Sequence, residues 1–334
     1  MMKNKNLRTA KNVKNDEFYT SYSDIEGEFS RVLDKNPNFF RNKSILCPCD
    51  NASNSAFVSF FLEKFSLLGI SKLTCSHYVK NGNGGCSTYT LNGETSKISC
   101  KTMRLGGNGD FRSDEVKTMM GEASIVVTNP PFSLYREFID TVVSLGRDYY
   151  VIGNKNCVNY NDIFHLMQQG KMMIGYTVPK TFTTPGGNTN RVNGLCRWYT
   201  NMEIGKSAEK LILTAKYLPE KYPTYENYAA INVNKVSDIP SDYDGVMGVP
   251  ITFLDKFNPD QFEILGRSGD TEWAFNRCEF FTPPSKERQE FLKKSYKNWR
   301  VQNSYLVRPD GTAECIYYRI FIRRKVPDSD SIMF

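Results

Sequence analysis

The chain has 334 residues, enough for a large catalytic domain with a smaller one beside it. With 40% hydrophobic and 24% charged residues it reads as a packed globular protein, and no apolar run is long enough to span a bilayer. The net charge of +7 suits a polyanionic partner without proving one, and the two histidines, His77 and His165, argue against histidine-centred metal sites and a Ser-His-Asp hydrolase.

The first fourteen residues carry Lys3, Lys5, Arg8, Lys11 and Lys14 with no acid before Asp16. They have no apolar core, so they are no secretory signal, and a cytoplasmic location is the expectation. The run reads equally as an arm along a phosphate backbone or as a solvated tail. From Ser44 onward strand-like and helix-like stretches alternate. Ser44–Cys49 reads as a short buried strand, Phe57–Leu68 as a helix and Lys72–Cys75 as a second strand. Lys80–Thr95 is turn-rich, with Asn-Gly at 81–82 and 92–93, and predicts a hairpin. Ser124–Thr128 is a strand without polar alternation, as when both faces are covered. Leu134, Phe138, Ile139, Val142 and Val143 mark one face of a helix, and Tyr149–Ile152 is the next strand. This alternation predicts an α/β, doubly wound, mostly parallel sheet, with ligands outside the carboxyl ends of its strands.

Later segments are less regular. Lys180 to Arg191 reads as a polar loop, Gly194–Tyr199 and Lys210–Thr214 as strands, and Ser285–Arg300 as a basic amphipathic helix with Phe291, Leu292, Tyr296 and Trp299 on one side. Three regions are expected: a basic arm, 1–14; a catalytic domain, 15–215; and a C-terminal, target-recognition region, 216–334. Nine cysteines without a C-x-x-C pair read as small apolar residues, and no metal site is expected.

The sharpest chemical signal is Asn129-Pro130-Pro131-Phe132, directly after a buried strand. An adenine amine is a poor nucleophile because its lone pair is delocalised into the ring. The Asn129 side-chain carbonyl and the Pro130 backbone carbonyl suit its two N–H groups, which favours a pyramidal nitrogen. The prolines stiffen the loop, and Phe132 offers a face for an extruded base. Taken alone, the tetrapeptide also reads as a turn ending a strand. Asp50 stands at the tip of the first strand, with Asn51 or Ser53 as a cap for the next helix. Asp110 and Phe111 are placed to bond and flank an adenine ring.

Lys14–Thr20, Asn129–Ser133, Val151–Asn156, Cys196–Asn201, Asp242–Leu254 and Asn258–Gly266 together resemble the EcoRI-type adenine-specific DNA methyltransferases, over most of the chain. The resemblance implies a class I methyltransferase, Rossmann-like fold with S-adenosylmethionine as donor and a flipped adenine in double-stranded DNA as acceptor, methylated at N6. It assigns Asn129, Pro130, Pro131 and Phe132 to the target base. It assigns Phe18, Tyr19 and Thr20 to the methionine end of the cofactor, Cys47 and Asp50 to the cofactor loop, and Asp110 and Phe111 to the cofactor's adenine. It further implies a monomer, and it allows a cognate restriction endonuclease in the same restriction-modification system.

Two departures stand out. The usual Gly-x-Gly after the first strand is replaced by Cys47-Pro-Cys-Asp50, and the second strand ends on Ser76-His77 rather than an acid. Pro48-Cys49 is similar to a cytosine-methylating nucleophile but sits on the wrong strand for that role. Contacts to DNA are expected from Lys180, Arg191, Lys286, Arg288, Lys293 and Lys294, whose plainer reading is a solvated surface. The alternatives are an RNA or protein-glutamine methyltransferase of the same fold, or an inactive DNA-binding module.

Overall fold

Buried strands alternating with amphipathic helices fill the first of two units, Met1–Gly205, and Lys206–Phe334 form the second. The structure is a computed structural model that describes residues 19–93, 97–183, 189–191 (backbone only), 194–204, 209–316 and 318–325. The basic arm and Phe18 lie outside the described residues.

In chain order the first unit comprises β1 (Tyr19–Thr20), α1 (Tyr22–Lys35), β2 (Ser44–Cys47), α2 (Ala56–Glu63), α3 (Phe65–Leu68), β3 (Lys72–His77), β4 (Gly85–Leu91), β5 (Ile98–Arg104), α4 (Asp114–Glu122), β6 (Ile125–Thr128), α5 (Tyr135–Ser144), β7 (Asp148–Asn154), α6 (Asn161–Gln168), β8 (Met173–Ile174), β9 (Thr181–Thr183), β10 (Thr189–Arg191) and β11 (Cys196–Thr200). The main sheet has the order β5-β4-β3-β2-β6-β7-β11-β8. Strands β3, β2, β6 and β7 run parallel, with β4 and β5 added antiparallel at one edge and β11 antiparallel to β7. The parallel strands therefore present their carboxyl ends at one edge, where His77 and Asn154 end β3 and β7 and where Asp50 and Asn129 follow β2 and β6.

Both faces are covered, for a reason visible in the two-residue strand period. Ile45, Cys47, Ile125, Val127, Tyr150 and Ile152 share one core with Ile25, Phe29 and Val32 of α1 and with Phe57, Phe60 and Phe61 of α2. The alternate residues Leu46, Val126, Tyr149, Val151 and Tyr199 are buried as well. On that side the Tyr135 ring of α5 lies 6.0 Å from Tyr199 and fills the space above Gly153, where a Cβ would meet it. The expected doubly wound sheet is present.

Four local expectations change. The helix predicted over Phe57–Leu68 breaks at Lys64 (φ −101°, ψ 14°) into α2 and α3. Its cap is Ser55, whose hydroxyl accepts from the Val58 N–H, and neither Asn51 nor Ser53 fills that place. The turn-rich insert supplies two hairpin connections, because β4 pairs with both β3 and β5. The polar loop at Lys180 to Arg191 contains the antiparallel pair β9–β10, and β9 also pairs with β1 in a separate three-stranded sheet.

The second unit holds β12 (Ile231–Asn232), β13 (Met247–Pro250), β14 (Phe262–Arg267), α7 (Thr271–Asn276), α8 (Lys286–Ser295), β15 (Tyr305–Val307), β16 (Ala313–Cys315) and β17 (Arg319–Arg324). Its four-stranded sheet runs β12-β13-β17-β14, with aromatic packing of Tyr228, Trp273 and Phe321. The strand predicted at Lys210–Thr214 does not form. The Gln261 side-chain amide takes both Leu211 backbone groups, donating to the carbonyl at 2.8 Å and accepting from the N–H at 2.7 Å. Helix α8 stops at Ser295, and Phe291 is exposed while Leu292 and Trp299 are buried, so the predicted apolar side is narrower than the sequence suggests.

Candidate active site

The loop of interest leaves β6, all four residues of which are buried. Asn129 is half-buried with its Oδ1 atom shielded from solvent, and Pro130 is buried. The Pro131 carbonyl accepts from the Leu134 N–H at 3.0 Å and so opens the 3-10 turn Phe132–Leu134. Phe132, half-buried, packs against the α1/α2 core. The fixed φ of proline holds this turn against rearrangement.

Asp50 lies beside it, one strand away. Its carboxylate is buried and accepts two hydroxyl bonds, from Thr128 Oγ1 at 2.6 Å and from Ser55 Oγ at 2.7 Å. Burial lifts its pKa to about 6, and the two hydroxyl donors hold it down in part. The Asp50 N–H donates to the Ser76 carbonyl at 2.9 Å, and the Ser76 hydroxyl reaches the Pro48 carbonyl at 3.4 Å. The loop that replaces Gly-x-Gly is thus pinned to the end of β3. Beyond it the Asn51 Oδ1 accepts from the Ser53 N–H and hydroxyl. Burial pushes the Cys47 thiol well up, which leaves it an uncharged core residue; Cys49 is half-buried.

A cavity of about 410 Å³ opens next to this loop, lined by Asn51, Ala52, Ser53, Cys75, His77 and Tyr89 among others. That volume lies in the usual range for small-molecule sites, roughly 300–1,000 Å³. Its wall depends on a close crossing of backbone. Gly109 has φ +78°, and a Cβ there would run into the His77 carbonyl. A Cβ on Gly84 would lie 2.7 Å from the Gly109 Cα. The Val79 N–H to Asn108 carbonyl and Gly84 N–H to Gly107 carbonyl bonds seal the crossing and set the Asp110–Phe111 turn beside the tip of β3.

Asp110 is held by Arg112, whose Nη2 and Nε donate to its two oxygens at 2.7 and 2.9 Å, and this cation lowers the carboxyl pKa. Phe111 is buried edge-on against Phe138, ring centroids 5.1 Å apart. Tyr19 and Thr20 form β1, paired with Thr183 and Phe182 of β9. The Thr20 hydroxyl is buried and has no hydrogen-bond partner among the described residues.

Two acids that the sequence reading passed over hold the segment before β9. Asp24 Oδ2 accepts from the Lys180 and Thr181 N–H groups at 2.9 and 2.8 Å. Glu28, fully buried, accepts from the Tyr176 and Thr177 N–H groups at 2.7 and 2.6 Å, the Thr177 hydroxyl at 2.6 Å and the Tyr150 hydroxyl. Burial pushes its pKa up and these four donors pull it down. A signal for Glu28 existed: it interrupts the helical stripe Ile25, Phe29, Val32, where a carboxylate needs buried partners.

Of the residues expected at DNA, Lys180, Lys286, Lys293 and Lys294 are exposed. Arg288 is half-buried, its Nη1 3.5 Å from the Gly311 carbonyl, and the Arg191 side chain lies outside the described residues. Lys180 belongs to the first unit and the α8 cations to the second.

Residues 6–325 match the family described as adenine-specific methyltransferase EcoRI. The chain is 39% identical to the type II methyltransferase M.EcoRI of Escherichia coli, with 83% of this chain and 95% of the relative covered. It is 36% identical to the type II methyltransferase M.MpnI of Mycoplasma pneumoniae, with 77% and 83% covered. A third relative, M.MgeORF184P of Mycoplasma genitalium, is 37% identical, with 77% and 84% covered. No solved structure matches.

Proposed function

The chain belongs to the EcoRI family of adenine-specific methyltransferases, and from that membership we infer that it methylates the N6 amine of an adenine extruded from double-stranded DNA. The observation that carries the residue assignment is the Asn129-Pro130-Pro131-Phe132 turn, at the carboxyl end of a central parallel strand buried on both faces. Asn129 Oδ1 and the Pro130 carbonyl accept the two amine hydrogens, and Phe132 stacks on the base. Pro131 fixes the turn. Such a site works by orientation and by placing acceptors where charge develops, with no covalent intermediate.

S-adenosylmethionine, when bound, supplies an electrophilic methyl group. The residues fit it: a buried Thr20 hydroxyl without a hydrogen-bond partner among the described residues, and a cavity of ligand size beside the loop after β2. Phe18, Tyr19 and Thr20 would hold its methionine end, the Cys47–Asp50 loop would support it, and Asp110 with Phe111 would bound its adenine. Tyr19 and Thr20 are in turn held by β9, next to Lys180. Lys180, Arg191 and the α8 cations Lys286, Arg288, Lys293 and Lys294 meet phosphates. Family membership implies a monomer and allows a cognate endonuclease in the same system. Among the described residues no helix is long and apolar enough to cross a membrane.

The test is to incubate the purified protein with S-adenosylmethionine and unmethylated duplex DNA, digest to nucleosides and quantify N6-methyladenine by mass spectrometry. A signal in the wild type that vanishes in Asn129→Ala supports reaction, acceptor and loop together. Cofactor binding without methyladenine moves the acceptor to RNA or protein.

A further inference from the structure

We propose that Asp50 is a positioning residue for the Asn129–Phe132 turn, acting through the Thr128 hydroxyl, and that its carboxylate makes no contact with the methyl donor. The inference rests on the reading of that turn as the target-amine site.

Three observations carry it. First, the backbone ladder between β2 and β6 stops early. Its pairs are Ile45 with Ile125 and Leu46 with Val126, two residues short of the end of β6. On the other side β6 stays paired to its last residue, Thr128 opposite Val151 of β7. The bond from Thr128 Oγ1 to Asp50 Oδ2, at 2.6 Å, is therefore the lateral tie on the β2 side at the residue that leads into Asn129. Second, the same carboxylate reaches the Ser55 hydroxyl at the start of α2, and the Asp50 N–H reaches the end of β3. One residue, through its side chain and its backbone N–H together, thus ties β6, α2 and β3 to the loop after β2 at the tip of the sheet. Third, the Asp50 side chain is buried and each of its oxygens is taken by a hydroxyl, while the described lining of the neighbouring cavity begins at the next residue, Asn51.

The residue types suit this role. An ionised carboxylate only accepts, so both hydroxyls are forced to donate to it. Threonine has few χ1 choices, so fixing Oγ1 fixes the whole side chain and the backbone from which Asn129 departs. Among the described residues the titratable groups at this end of the sheet are the thiols of Cys47 on β2 and Cys75 on β3, both held uncharged by burial, and the imidazole of His77, which follows Ser76 on β3, so the Asp50→Asn profile is what assigns the limb.

The test uses the full chain and the variants Thr128→Val, Thr128→Ser and Asp50→Asn. Turnover, KM for each substrate, calorimetric affinity for S-adenosylmethionine and pH profiles are measured for each. Thr128→Val removes the tie while keeping the shape, and kcat is expected to fall by about 10- to 100-fold, as for a small misplacement of a reacting group. Donor affinity stays within about twofold, a span worth little in binding terms. Thr128→Ser restores most of the lost turnover. The wild-type kcat changes across the range around pH 6, and that limb is absent in Asp50→Asn. The proposal is overturned if Thr128→Val turns over like the wild type, or if Asp50→Asn loses donor affinity about tenfold with kcat intact at saturating donor. If Asp50→Asn does not fold, the Thr128 pair decides alone. If the wild type binds the donor but makes no N6-methyladenine, the function fails instead, and amide exchange at Asn129 and Phe132 decides this point. Faster exchange in Thr128→Val than in wild type and Thr128→Ser upholds the tie, and equal exchange refutes it.

Discussion

Asp50 and Glu28 are both carboxylates sealed inside the first unit, yet they are satisfied in different ways. Asp50 accepts from two side-chain hydroxyls. Glu28 accepts from two backbone N–H groups and two hydroxyls. A hydroxyl turns and accepts as readily as it donates, whereas a backbone N–H only donates. The surroundings of Glu28 therefore require an acceptor at each oxygen, and those of Asp50 tolerate a donor. The tip of the sheet is a network that adjusts, and the clamp at α1 is one that cannot.

That contrast is open to attack from several sides. Asn129→Ala strikes the tip alone. It is expected to cut methylation about 1,000-fold, in the range for loss of a preorganised polar group, with donor affinity and unfolding midpoint unchanged. Unaltered turnover breaks the assignment of the turn. Glu28→Gln strikes the clamp alone. Whichever way the new amide turns, its NH2 group meets a backbone N–H, of Tyr176 or of Thr177, and a loss of about 2–4 kcal/mol in urea unfolding is expected.

Asp50→Asn sharpens the comparison through pH. The folded pKa of Asp50, about 6, lies above the ordinary value near 4. Its contribution to stability is therefore full below about pH 4 and is lost as pH rises through 6. Between pH 4 and 7.5 the wild type is expected to lose ~2 kcal/mol relative to Asp50→Asn, read from paired denaturant curves. A constant difference between the two proteins refutes the buried carboxylate. The smallest effect is expected at the surface. Neutralising Lys286, Arg288, Lys293 and Lys294 together lowers the salt slope of DNA binding by about 0.9 per phosphate contact removed. An unchanged slope takes α8 out of the interface.

The parts of this architecture that the sequence made legible are those specified by neighbours in the chain. The unbroken apolar run of β6 and the spacing of Phe138, Ile139 and Val142 in α5 announced a buried strand, a turn and a covering helix. Helix α1 was not legible because Glu28 interrupts its stripe, and the carboxylate's partners lie about 120 to 150 residues away. The pairing of β9 with β10 was masked by a polar, glycine-rich sequence. Thr128 looked like the end of a strand, because its partner Asp50 is 78 residues distant. Side-chain hydrogen bonds across such separations leave no periodic trace.

The pairing of Tyr19 and Thr20 with Thr183 and Phe182 also sets an order of events during synthesis. At about 5–20 residues per second, the ribosome delivers β9 roughly 10–30 s after β1 has been made. A nascent chain that has reached Phe132 already holds the sequence of the Asn129–Phe132 turn, but β1 still waits for the strand that fixes it. The pairing of β1 is thus a late event, unavailable to chains that stall before Thr183.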